Sequence, residues 1–539
     1  MSAYRDIKTH YSPVNYKTRE EWGSYANWLK RHVAVSLALE PEPPRPPLKP
    51  EVFGKWAGRG YTCEKVYFES LPGFFATGNL YRPSENPEKK HPGILCPHGH
   101  WADGRLHDRD ARGSVIARCI QLARMGAVVF SYDMIGYNDS CQLSHRPFEG
   151  EEHFGLSLMA LQTWNSIRFV DFISDLPDVD ETRIGVTGAS GGGTQTFALT
   201  AIDSRISIAA PICMISYQMQ GGCACENSPL LRIDATNVDI ARLFAPKPMF
   251  MGSCTGDWTK DTAEEELPAI KNIYRIYDSE DNLMHHHIDF EHNYNLEMRE
   301  QVYRFFNKYL FMQSSSDPIN ETDVGRPPHR DRLVWWGRKS PEEISRDELR
   351  RIWRERSEAI LRPHLKSPKS ARTRLGDLLP HALGVTLTSV EQFAGKDAQS
   401  IEVNRSGKQI KITEKLPLTY PEDQIRYFSA YNRTPFADRV HEILGILQDM
   451  DDGVKLIGVQ NAGPAVLIAA ALSGKVVEVE ADMNGFDALK DEDWQRHMDT
   501  PSIRQIGGLA TVFAQIGGRG LALRNASDLV LELKTKYAQ

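Results

Sequence analysis

Arg183-Ile-Gly-Val-Thr-Gly-Ala-Ser190-Gly-Gly-Gly193 reads as an apolar strand that breaks into a glycine-rich turn. The helical pattern Thr-Gln-Thr-Phe-Ala-Leu-Thr-Ala-Ile202 follows it directly. Inside the turn, Gly188-Ala189-Ser190-Gly191-Gly192 has the G-x-S-x-G spacing of a nucleophile elbow. A serine there sits in a strained strand-to-helix bend, and small neighbours let the backbone turn sharply and approach other chain. Its hydroxyl lies at the helix N-terminus, where backbone N–H groups can hold a developing oxyanion.

On either side of the elbow, strand and helix patterns alternate. YTCEKVYFES and FFATGNLYRP predict a β-hairpin around Leu71-Pro72-Gly73. GILCPHGHW (93–101) is a short apolar strand entering a glycine turn, and RCIQLARMG (118–126) is a helix ending at a glycine. AVVFSYDMIG (127–136) is a buried strand and LQTWNSIRFVDFISDL (161–176) an amphipathic helix. PMFMGSC (248–254), the segment LMHHHIDFEHNYN (283–295) and the helix EMREQVYRFFNKYL follow. Such alternation predicts a mostly parallel sheet covered by helices on both faces.

A serine nucleophile requires a base and an acid to orient it, in the chain order Ser, Asp, His. Asp257, in the loop after the strand PMFMGSC, is the expected acid; Asp261 and then Asp281 are the alternatives. His292 is the expected base because it lies past the last strand, on a loop. His285, His286 and His287 lie within that strand, where successive side chains face opposite ways and cannot share one site. The oxyanion donors are expected to be the backbone N–H groups of Gly191 and His100. Trp101, Trp258 and Tyr294 stand within a few residues of these positions and are expected to line the substrate mouth.

Residues from about 60 to 310 resemble an α/β-hydrolase of the bacterial acetyl-xylan-esterase-like and dienelactone-hydrolase-like branch. CPHGHW (96–101), Asp133-Met-Ile-Gly136 followed by Ser140, LPDVDETRIGVTGASGGG (176–193), GDWTKD (256–261) and His292-Asn-Tyr-Asn295 carry the resemblance. It implies hydrolysis of carboxyl esters through a serine nucleophile, often on acetylated carbohydrate. Dienelactone hydrolases proper use cysteine where this chain has Ser190. Two other readings compete: a metal-dependent hydrolase built on His285–His287 with Asp289, and a non-catalytic binding protein on a hydrolase fold.

The chain has 539 residues, too many for one ordinary core. Residues 1–50 read as a helical arm, opened by the capping box Thr18–Glu21, and a Pro-rich linker. The hydrolase-like domain is placed at 51–312 and a connector at 313–375, with a second capping box at Ser340–Glu343. Residues 376–539 read as a second α/β domain, hydrolase-like but degenerate or else Rossmann-like. There VKLIGVQNAGPAVLIAAAL mimics the elbow with Asn461 in place of Ser190, which leaves no hydroxyl nucleophile.

Net charge is −7, so no global basic field invites nucleic acid, and no apolar run reaches a membrane span. A carbohydrate or small-molecule ester is the expected partner, with a homo-oligomer possible. MSAYRDIKTHYSPVNYK has no apolar core of a secretory signal, giving a cytoplasmic expectation; a chain whose signal had been removed would read the same. The eight cysteines all precede residue 260. Cys223-Ala-Cys225 is a lone close pair, read as structural or pocket-lining thiols. No carboxylate or thiol completes a ligand spacing beside His98 and His100. No metal or other cofactor is therefore expected.

Overall fold

The computed structural model describes residues 4–539 except 13, 85–88, 109–110, 149, 314–318, 322–329, 336–343, 387–388, 392–397 and 421–424. The capping box at Ser340–Glu343 lies outside the described residues.

The first sheet has nine strands: β1 (Glu51–Gly58), β2 (Tyr61–Leu71), β3 (Phe74–Pro83), β4 (His91–Leu95), β5 (Val128–Tyr132), β6 (Val179–Ala189), β7 (Ile206–Ile212), β8 (Met249–Gly256) and β9 (Leu283–Glu291). Their spatial order is β1-β2-β3-β5-β4-β6-β7-β8-β9. The first three are antiparallel and β3 joins β5 antiparallel; from β5 to β9 all pairs are parallel. Inverting β4 and β5 in the order puts the loop after β4 beside the end of β6. A crevice at the carboxyl ends of strands where order reverses is where α/β sheets bind ligands.

Helices cover both faces, which explains why β4 and β5 are buried along their whole length. α1 (Arg19–Ser36) begins at Thr18, whose hydroxyl accepts from the Glu21 N–H. α2 (Val115–Arg124), capped by Ser114, packs on one face with α7 (Leu296–Tyr309). α3 (Leu158–Ser174), α4 (Gly191–Ile202), α5 (Asn237–Arg242) and α6 (Glu266–Ile276) build the other. On that face Phe130 of β5 packs against Phe169 and Phe172 of α3 at 5.2 and 5.1 Å. Burying each such ring stabilises the fold by about 1.5–3 kcal/mol.

α8 (Arg346–Leu361) is capped by Ser345, and its Trp353 donates to the Phe154 carbonyl at 2.9 Å, within the first domain's core. The chain from Ala371 to Leu383 packs instead in the second core.

The C-terminal domain carries a five-stranded sheet in sequential order: β10 (Ile401–Ser406), β11 (Gln409–Glu414), β12 (Val454–Gly458), β13 (Val476–Asp482) and β14 (Gly520–Arg524). Only β10 is antiparallel. Ile425–Asn432, whose aromatic and apolar residues suit a strand, is a turn and a short helix, Phe428–Tyr431. Its carbonyls are taken by the first domain: Ser429 accepts from Leu230 at 2.7 Å and Ala430 from Arg232 at 2.8 Å. Among the described residues, no helix is long and apolar enough to cross a membrane.

Candidate active site

Ser190 stands between β6 and α4 with φ 58° and ψ −126°, a strained conformation for a residue with a side chain. Its N–H donates to Ile212 of β7 at 3.1 Å, and its carbonyl accepts from Thr194 at 2.9 Å, which fixes the turn. The turn is tight. A Cβ built on Gly188 or on Gly192 would sit 2.6 Å from the Pro97 carbonyl oxygen. The glycines of the motif thus let the β4 loop lie across the elbow. On Gly191 a Cβ would meet the His100 imidazole at 2.7 Å, so that loop reaches the start of α4. Gly191 opens the helix, where an N–H has no intrahelical acceptor.

His98, fully buried, holds the loop. Its Nδ1 donates to the Gly99 carbonyl at 2.7 Å and its Nε2 accepts from the Met134 N–H at 3.0 Å. Burial presses its pKa down to about 3, consistent with a neutral ring that bonds on both sides.

Asp257 and His292 meet. His292 Nδ1 donates to Asp257 Oδ2 at 2.6 Å. The other oxygen of Asp257 accepts from the Thr259 N–H at 2.6 Å and its hydroxyl at 2.5 Å. Burial raises the Asp257 pKa, but these bonds outweigh it and hold the carboxyl below its ordinary range. For His292, burial lowers the pKa while Asp257 and the neighbouring Cys254 raise it, to a net value of about 9. Its Nε2 is buried and makes no hydrogen bond. Trp258 lies 4.6 Å from the His292 ring and Trp101 6.1 Å, both half-buried.

Asp261 instead accepts from Gln218, and Asp281 lies exposed before β9, at the end of that strand opposite His292. His285 and His287 both reach the Ser253 hydroxyl at 2.8 Å, while His286 pairs with Glu297. The alternation of a strand separates them as expected. Tyr294 corrects the sequence reading: it does not line the mouth. It is 2% exposed, bonds Thr187 at 2.7 Å and lies under the Arg118 guanidinium at 4.5 Å. The chain turns inward after His292, pinned by the Tyr294 N–H on Arg112 at 2.6 Å.

Among the described residues, two groups bring potential metal donors within 4.8 Å of one another. One is Cys213, Cys254, Asp257 and His292; the other is His100, His145, Cys223 and Cys225. Neither contains His285, His286 or His287. The second group corrects the expectation that no thiol completes a ligand set beside His100. Sequence reasoning does not reach Thr259, Cys254 or His145 as site residues; only Thr259 carries a local signal, the Asp-x-Thr of an Asx turn.

Residues 55–217 match the family model of acetyl xylan esterase (AXE1). Among solved structures the chain is similar to methylesterase BT1017, with 28% identity and a TM-score of 0.51 over 65% of this chain and 78% of that one. The chain is a carboxylic ester hydrolase on an α/β-hydrolase fold. A glucuronoyl esterase from Solibacter usitatus is 16% identical, with a TM-score of 0.42 over 57% of this esterase and 97% of the other. An acetyl xylan esterase from Paenibacillus sp. R4 is also 16% identical, with a TM-score of 0.38 over 56% and 98%. No curated protein sequence matches this esterase.

Proposed function

We propose that the protein is a serine carbohydrate esterase in which Ser190 forms an acyl-enzyme. The observation that supports this best is the 2.6 Å bond from His292 to Asp257, which leaves Nε2 free on the same rim as the strained serine. His292 Nε2 takes the Ser190 proton as Oγ attacks the acyl carbonyl. The oxyanion forms at the N–H groups of Gly191 and His100. His292 then protonates the departing alcohol, and water attacks the ester of Ser190 by the same route. Asp257 keeps the imidazole in the tautomer that presents a bare Nε2 and stabilises the imidazolium between steps. Trp101 and Trp258 offer apolar faces to a sugar ring beside the base.

The acyl group is read first as acetate on a carbohydrate, following the family match. A methyl ester of a sugar acid is the second reading, favoured by the likeness to a methylesterase. There the sugar carboxyl is the acyl group and methanol leaves. Turnover of acetylated xylan, acetyl sugars and methyl glucuronates by wild type and Ser190→Ala separates the two. Labelling of Ser190 by a fluorophosphonate, mapped by mass spectrometry, tests the nucleophile; labelling elsewhere, with an active Ser190→Ala, would overturn it.

A further inference from the structure

His100, His145, Cys223 and Cys225 come from three separate loops and converge beside the elbow. His100 Nε2 lies 3.1 Å from Cys225 Sγ, and His145 Nε2 lies 3.3 Å from Cys223 Sγ. All four donor atoms fall within 4.8 Å of one another. A tetrahedral zinc ion with ordinary bond lengths spaces a nitrogen and a sulfur ligand about 3.6 Å apart. The two pairs are therefore within about half an ångström of that geometry.

The groups behind the donors match as well. His145 directs its Nδ1 to the Ile135 carbonyl at 2.6 Å, so Nε2 is the nitrogen left with a lone pair toward the thiols. The Glu226 carboxylate stands 3.8 Å from His100 Nδ1, on the far side of that ring from Cys225. Its second oxygen accepts from the N–H groups of Gly222 and Cys223 at 2.7 and 3.0 Å. A ligating histidine characteristically gives its other N–H to a carbonyl or carboxylate, as His145 does; the Glu226 carboxylate stands near His100 Nδ1 but beyond direct hydrogen-bond reach. Arg232 in turn holds the Glu226 carbonyl and the Asn227 side chain, and Tyr431 of the C-terminal domain bonds Asn227 at 2.7 Å. The loop is thus anchored from both domains.

We propose that these four side chains bind a divalent soft metal ion, zinc by ligand class. Two thiolates and two imidazoles in a tetrahedron suit zinc, whereas calcium and magnesium take oxygen donors. Four protein ligands close the coordination sphere, so the ion is structural and activates no water. It ties the loop after β4 to the 133–145 and 221–232 segments and so holds the His100 backbone in place. Metal binding stands whether or not Ser190 is the nucleophile; only its consequence for the oxyanion donor rests on that reading.

The test starts from full-length enzyme expressed with zinc and dialysed. Elemental analysis is expected to find about one zinc per chain in wild type and in Ser190→Ala alike. After chelation, cobalt(II) should restore one equivalent, with thiolate-to-cobalt charge-transfer bands and the intense visible bands of a tetrahedral site. Cys223→Ser and His145→Ala, both at half-buried positions, should lose the stoichiometric metal and those bands. Wild type that takes up neither ion, a Cys223–Cys225 disulfide found by mass spectrometry in freshly purified enzyme, or full metal content in Cys223→Ser/His145→Ala would each overturn the proposal.

Discussion

The chain contains two strand–turn–helix units of similar outline, and they differ in the residue at the bend and in what surrounds it. In one, β6 passes through Ser190 straight into α4. In the other, β12 passes through Val459 and a short turn, residues 460–462, before the helix Gly463–Leu472. The residue with positive φ in that second turn is Gln460, at 51°, not Asn461. Backbone geometry therefore equates Gln460 with Ser190 and corrects the match to Asn461 made from the sequence. The neighbours differ more than the turns. Beside β6 lies β4, displaced from sequential order, and its loop brings His98–Trp101 over the elbow. Beside β12 lies β11, in sequential order, and it ends at Glu414, which accepts from the Asn461 amide at 2.6 Å. On the proposed mechanism a strained turn is insufficient: the strand next to it must deliver the oxyanion donor, and a later loop the base.

The largest contrast follows at Ser190. Ser190→Ala is expected to lower kcat by about 10³-fold or more, and Asp257→Asn by a comparable factor through the wrong imidazole tautomer. Steady-state turnover of an aryl acetate measures both. A Ser190→Ala enzyme with near-normal turnover would erase the distinction between the two turns. An inactive His285 or His287 variant beside an active His292→Ala would move the base into β9.

The next effect tests the loop. Gly192→Ala places a methyl 2.6 Å from the Pro97 oxygen and 3.0 Å from that of His98, so backbone must move. A displacement near 1 Å at a reacting group costs about 10²-fold. The expected result is a folded enzyme with kcat reduced by about that factor. Turnover within twofold of wild type would mean that the β4 loop does not position an oxyanion donor.

Acid–base behaviour gives a smaller effect. His292 must be neutral to accept the Ser190 proton, and its pKa is held up to about 9. Activity should therefore climb with pH along a limb ending near 9. Cys254→Ala removes one of the raising influences, so the limb should shift to lower pH and activity near neutrality should rise. For stability the sign is opposite. The folded state favours the imidazolium, a contribution complete below the unfolded histidine pKa of about 6.5 and lost as pH rises through about 9. The melting temperature of wild type relative to His292→Ala should fall across that interval. A limb centred below about 6.5 would contradict both.

Much of the first domain is legible because fully buried parallel strands leave short apolar runs, as in β4 and β5, and glycines mark the bends between them. The second domain is less legible. The hairpin β10–β11 has exposed polar residues along both strands, and Ile425–Asn432 looks like a strand although two of its carbonyls bond the first domain and others close a short helix. At the candidate site, order after successive strands is enough to expect the meeting of Asp257 and His292 and the place of Ser190 in the bend. Tyr294 misleads because position in a loop does not say which way the chain turns next. Cys223-Ala-Cys225 is visible as a pair, but its meeting with His100 and His145 escapes notice because those contacts span 125 and 78 residues. Motif spacing reveals ligands that share a turn or a hairpin, and here tertiary structure alone assembles them.

The smallest expected effect lies in the second turn. Gln460 and Asn461 are exposed, and the Asn461 side chain is engaged at both ends, by Glu414 and by the Asn484 amide at 2.6 Å. Arg439, buried, bonds Glu414 at 2.9 Å, so the network closes the turn onto the sheet. His497, the last histidine of the chain, is buried against Phe486 in a short helix and makes no ring contact with the turn. Asn461→Ala should cost about 0.5–1.5 kcal/mol per lost hydrogen bond at most, less because the site is solvated. Ester turnover should stay within a few fold of wild type, and so should that of Gln460→Ala. A folded Asn461→Ala enzyme without activity, or a covalent ester probe attached within 376–539, would show that the second turn takes part in the reaction.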